Sequence, residues 1–283
     1  MIPDKGVNLR TNSEAAKQAY LDLADYAAMR SKELSELLQP YIDATDQYGI
    51  VICHVTLTLG KVPPKNLQDI VLRDLMADVF DFLYETRSLI VKGKLEIAYP
   101  LARRAYESLS LMVACFLEEK LAERWMAGKR IENSEIRRLL GKHPGGEPEH
   151  MTQELYRFFS RLSHPNRDGI AYRFLGEGNE FVLGSIGVPS LAMLADYALK
   201  TLDLWFWFDA FVAFVYSPVL FDADRTFIKI YDAAAKMARD VSPWLREQFN
   251  RTLAQEQAEM ERNRPMPPIG KTDKATMISD RRL

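Results

Sequence analysis

The sequence predicts an all-α fold, an antiparallel helical bundle with one β-hairpin inserted at about 170–186. Three observations predict it. Apolar residues recur at helical spacing through most of the chain, as in Ile70, Leu75, Val79, Phe82, Leu83, Leu89 and Ile90. Helix start and stop residues fall at the ends of those runs. One stretch alone changes period: Ile170–Leu175 and Glu180–Ile186 flank Gly176, Glu177, Gly178 and Asn179, which together read as a hairpin turn.

Taken in order, Thr11 to Glu14 form a capping box, with a hydroxyl first and a carboxylate three residues on. A long helix follows to about Gln39, where Pro40 stops it. Residues 41–59 fit two readings. Ile50, Val51, Ile52, Val55, Thr56 and Thr58 suit a strand, while the neighbouring segments are helical. Gly60–Asn66, with two prolines, is a loop. Leu67–Lys92 and Leu95–Ala127 are long helices that fold back on each other around Gly93, with Pro100 accommodated near the start of the second. A short helix spans Ser134–Leu140, a Gly/Pro-rich loop Gly141–Glu149, and a further helix Met151–Ser163, ended by Pro165. Helices are predicted again over Ser190–Tyr216 and Asp222–Asp240, and Ser242 with Pro243 opens a last one. The expected organisation is one helical domain over 1–264 and a disordered polar tail over 265–283.

Composition narrows the function classes. The 283 residues are 47% hydrophobic and 27% charged, with a formal net charge of -2, so any polyanion site must come from a local cluster rather than a global field. Cys53 and Cys115 are isolated in apolar surroundings, which suits a reducing compartment. Met1–Arg10 lacks an apolar signal core, and the most apolar run, Leu204–Tyr216, is too short to span a bilayer. The expectation is a cytoplasmic protein that engages no membrane. The aromatic run from Leu204 to Phe211 is hydrophobic all round, which demands burial in a core or a dimer face.

Residues 155–166 carry the densest chemistry. On a helix at about 100° per residue, Arg157 and His164 nearly eclipse, with Ser160 and Arg161 close by and Leu155, Phe158, Phe159 and Leu162 opposite. A histidine moves protons near neutral pH, and an arginine holds a phosphate in a fork of donors. The same stripe also fits any amphipathic surface helix. Arg103 and Glu107, four apart, read either as an i,i+4 ion pair or as part of a phosphate site that Arg103 or Arg104 shares with Arg157. Between Lys120 and Lys142, seven basic residues, Arg130, Arg137 and Arg138 among them, face three acidic ones, which suits either a nucleic-acid track or a mixed-charge surface. Trp125, Tyr156 and Tyr172 are candidates for base stacking or for core.

Other chemistries lack their residues. Asp74, Asp78, Asp81 and Glu85 share a helix face, but the paired Glu-x-x-His motifs of a di-metal bundle are missing, so neither a metal nor a cofactor is expected. No phosphate-binding glycine loop and no nucleophile elbow is present.

Arg157 and His164, with six residues between them, resemble the Arg-x(4–6)-His pattern of the HEPN superfamily. Gly93, Ala98, Arg103 and Glu107 are similar to the upstream layout of uncharacterised bacterial HEPN-like families, and together the likeness covers about 67–165. The resemblance implies a homodimer with a cleft between the motif-bearing helices and metal-independent RNA cleavage. His164 would then move the proton, Arg157 hold the phosphate and Ser160 assist. It also implies a bacterial defence or toxin setting, with an antitoxin or another protein as partner. The alternative is a non-catalytic dimeric module that binds nucleic acid or a partner protein.

Overall fold

A computed structural model describes residues 13–143, 153–154, 156–158, 174–175, 180–181, 191–223 and 225–262. The helices are α1 (Ser13–Leu37), α2 (Gln39–Leu59), α3 (Leu67–Val91), α4 (Leu95–Leu117), α5 (Glu119–Met126), α6 (Asn133–Lys142), α7 (Leu191–Ala223) and α8 (Phe227–Arg262). The described part is thus a helical bundle. Of the expected hairpin at 170–186, the described residues hold only a two-residue antiparallel ladder, β1 (Phe174–Leu175) with β2 (Glu180–Phe181), in which Phe174 faces Phe181. The tail over 265–283 lies outside the described residues.

Residues 41–59 are helix. Tyr41, Ala44, Thr45, Tyr48, Val51, Ile52, Val55 and Leu59 are buried at helical spacing, and that packing outweighs the strand preference of the β-branched residues. Their hydroxyls are satisfied within the helix: Thr45, Thr56 and Thr58 donate to the carbonyls of Tyr41, Ile52 and His54 at 2.9, 2.8 and 2.9 Å. Pro40 sits in the first turn of α2, where its missing N–H costs nothing, and only Leu38 separates α1 from α2.

The α3–α4 hairpin turns at Gly93, whose φ of 71° suits glycine. There Gly93 N–H donates to Ile90 O at 2.9 Å and Lys94 N–H to Leu89 O at 2.8 Å, which closes the end of α3. Asn66 caps the start of α3 by accepting from Asp69 N–H at 2.8 Å.

Three boundaries differ from the sequence reading. The helix predicted over Leu95–Ala127 breaks at Glu118, which is extended (φ −135°, ψ 102°). The break turns Leu121 and Ala122 into the core, and Gln68 Nε2 donates to the carbonyls of Cys115 and Phe116 at 2.8 and 3.1 Å, in the last turn before the break. α7 runs past Pro218 to Ala223, held by the fully buried Leu220. α8 runs through Pro243, with Val241 and Leu245 buried on either side of it, so Ser242 and Pro243 do not open a new helix.

α7 is the hub, packing on α2, α3, α4 and α8. Polar contacts pin its register: Tyr41 Oη and Thr201 Oγ1 are 2.9 Å apart, and Tyr216 O–H donates to Asp69 Oδ1 at 3.0 Å. Asp69 also accepts from Lys65 N–H and pairs with Arg73, whose guanidinium donates to Leu59 O and Val62 O at 2.9 and 2.7 Å. Burial pushes the Asp69 carboxyl up, but these hydrogen bonds outweigh it and hold the group below the usual carboxylate range.

Asp209, inside α7, is fully buried, and neither carboxyl oxygen has a hydrogen-bond partner among the described residues. Burial drives its pKa well above the ordinary value. The phenols of Tyr48 on α2 and Tyr231 on α8 are pushed up by their own burial and then by Asp209. Among the described residues, α7 is also the one helix long and apolar enough to cross a membrane.

Two stability tests follow. Gly93→Ala is expected to cost about 1–2 kcal/mol through left-handed backbone strain, whereas Gly49→Ala, mid-helix with nothing within 4 Å of the new carbon, gains about 0.5–1 kcal/mol. Urea unfolding distinguishes the two signs. For Asp209, a folded pKa above the unfolded one means that stability is full below the unfolded value and is lost as pH rises toward the folded value. Wild type should therefore lose up to about 1.4 kcal/mol per pH unit relative to Asp209→Asn across that window. Parallel pH–stability curves for the two proteins would refute this. Asp196 and Asp203, also raised by burial, tilt both curves alike.

Candidate functional site

The hairpin at Gly93 sets Arg103 and Arg104 two to three turns into α4, where neighbouring positions on the helix aim them apart. Arg104 leans back toward α3, 3.9 Å from Asp78 and with its guanidinium 5.7 Å from the Phe82 ring centre. Ser108 donates to the same Asp78 carboxylate at 2.7 Å. The acidic face of α3 is thus, at Asp78, a counterpart to the basic helix beside it.

Arg103 turns the other way, into a half-buried network. Its Nε donates to Glu107 Oε1 at 2.9 Å, with both side chains about four-fifths covered. The same carboxylate oxygen accepts from Asn133 Nδ2 on α6 at 3.0 Å. Arg103 also donates to the hydroxyl of Tyr156, and its guanidinium carbon lies 4.7 Å from that ring's centre. Arg137, on α6, sits 4.8 Å from the same ring. Residues 156–158 are helical, and Phe158 stacks on Tyr197 of α7 at 4.9 Å, which fixes this segment against the bundle. Arg157, between those two aromatics, is exposed.

Of the residues the sequence singled out, Arg103, Glu107 and Arg137 therefore meet around Tyr156, with Arg157 adjacent in the chain. Arg104 stands apart. Arg138 is exposed on α6, and Arg130 is exposed and pairs with Glu132 at 2.6 Å. Arg124 bridges to Glu135 at 2.5 Å, holding α5 to α6. Trp125 packs on the core instead of presenting a free face. His164, Ser160, Arg161 and Tyr172 lie outside the described residues. Asn133 was not anticipated: its role depends on a contact 26 residues away. The described residues contain no group of three or more His, Cys, Asp or Glu able to hold a metal ion.

Compared with protein-family models, curated proteins and solved structures, the chain matches none. The HEPN-like reading therefore rests on this chain's own residues.

The network separates two neighbouring arginines. Glu107→Ala leaves Arg103 half-buried without its carboxylate and Asn133 without an acceptor. It should cost about 1–3 kcal/mol and speed amide exchange in α6. Arg104→Ala, exposed and at the limit of ion-pair distance, should change stability by less than about 0.5 kcal/mol. Equal effects in unfolding and exchange experiments would show that the network holds nothing.

Proposed function

We propose that the chain is a HEPN-like, RNA-directed protein, a metal-independent endoribonuclease of a bacterial defence or toxin system, acting in the cytoplasm as a dimer. One observation carries this reading. Two segments named separately from the sequence, Arg103 with Glu107 and the start of the 155–166 stretch, meet at Tyr156, where two guanidiniums flank one aromatic ring. Guanidiniums held close together in this way suit a phosphate.

In the proposed reaction the ribose 2′-oxygen forms a bond to the adjacent phosphorus as the bond to the 5′-oxygen breaks. His164 takes the 2′-hydroxyl proton and returns one to the departing 5′-oxygen, leaving a cyclic phosphate end. Arg157 neutralises charge on the phosphate, assisted by Ser160. Arg161, Arg130, Arg137 and Arg138 track the flanking backbone, and Arg103, held by Glu107, orders Tyr156. The proposal retains the full hairpin at 170–186 after this segment and a single domain over 1–264. A second reading, a binding module without catalysis, is favoured by Arg103 being committed to Glu107 and Tyr156, as in a purely structural network.

The test is RNA cleavage in EDTA. His164→Ala and Arg157→Ala should each lower the rate by about 100-fold or more at unchanged circular dichroism. Activity that survives His164→Ala would remove His164 from the reaction, and no cleavage by the wild type would end the nuclease reading. RNA binding without cleavage, weakened by neutralising Arg130, Arg137 and Arg138 together and steeply salt-dependent, would establish the second.

A further inference from the structure

The fold covers α7 unevenly. From Ala192 to Trp205 its buried residues span about two-thirds of the circumference, and the remaining strip carries Met193, Asp196, Lys200 and Asp203. Beyond Trp205 the buried residues occupy one side only: Phe208, Asp209, Val212, Tyr216 and Leu220. The opposite side stays as apolar as the interior. Phe206 is 43% exposed, Trp207 36%, Phe214 67% and Phe221 46%. On the helical wheel these four fall within about 100° of one another, with Ala210 and Ser217 between them. The charged residues bounding this run are Asp203 and Asp222, and Asp209 inside it points into the core. The result is a charge-free aromatic face about 24 Å long.

We propose that this face is where a second copy of the chain packs, α7 crossing α7 antiparallel about a two-fold axis. Two features select that occupant. The first is area. At the exposures above, the four aromatics alone present about 400 Å², roughly half of the about 800 Å² per partner that a stable interface buries. The partly buried Phe211 and Ala213 border the same strip. The second is self-complementarity, which a two-fold interface requires. With the axis at the level of residue 212, Phe214 of one copy falls over Ala210 of the other and Trp207 over Ser217, large against small. A membrane surface is a poorer occupant, because acidic residues bracket the face.

The face is separate from the Arg103 network. Phe116, which packs on Phe211 and Phe214 at 5.6 and 5.8 Å, is thirteen residues beyond Arg103, about 20 Å along α4. The inference therefore stands independently of any reaction at Tyr156.

Sedimentation of the full chain tests it. Wild type at about 50 µM should run at twice the 32.5 kDa chain mass. Phe214→Glu, at a largely exposed position, should weaken self-association by about 30-fold or more at an unchanged unfolding midpoint, while His164→Ala leaves it intact. Ala210→Glu provides the same test should Phe214→Glu misfold. A monomeric wild type, or a dimer indifferent to both glutamates, overturns the proposal. So does a monomer that floats with phospholipid vesicles unless Phe214 is replaced, which would assign the face to lipid.

Discussion

A helix without a polar side is the constraint on which the bundle depends. Between Asp203 and Asp222, α7 offers the solvent no charged group, so most of its surface must lie against something apolar. The other long helices are arranged accordingly. α2 runs parallel to α7, from Tyr41–Thr201 to Tyr48 beside Asp209, and α4 likewise, from Tyr99–Tyr197 to Phe116–Phe211, while α3 runs antiparallel, through Phe80–Trp205 and Asp69–Tyr216. Apolar packing alone leaves a helix free to slide. The two tyrosine hydroxyl contacts remove that freedom, because each must be made or leave a buried polar atom unpaired.

Much of this was legible from local rules. Gly93 as the turn of the α3–α4 hairpin, the helices on either side of it and the apolar character of α7 all follow from spacing and punctuation. The rest was set by contacts distant in sequence. Residues 41–59 contain enough β-branched side chains for a strand, and only the neighbours on α7 and α8 decide for helix. The break at Glu118 is supported by Gln68, 47 residues before Cys115. Pro218 and Pro243 are stop signals that packing overrides. At the candidate site, Arg103 and Glu107 were visible as a pair, but their reach to Asn133 and Tyr156 was not, since no periodicity encodes a contact between separate helices.

The two readings of Arg103 and Glu107 prove compatible. They are an i,i+4 ion pair, and that pair is also the base of a larger network. Such a pair adds little stability by itself. Its effect is geometric: a flexible guanidinium is held in one orientation against Tyr156, which Arg137 approaches as well. Arg104, one residue on, has a longer ion pair and more solvent, and so keeps its freedom. On the proposed reading, this difference between neighbours separates a side chain that positions a site from one that decorates a surface.

Asp209 is a feature of α7 that its hydrophobic logic does not explain. A leucine there would satisfy burial, whereas the carboxyl brings two unpaired oxygens into the core. A neutral acid is tolerable in that place, but an ionised one is not. The carboxyl's proton is therefore coupled to the stability of the α2–α7–α8 junction. Asp209 lies between Phe206 and Phe214 in sequence but on the buried side of the helix. The packing that buries this carboxyl is thus the same packing that sets which residues α7 turns outward.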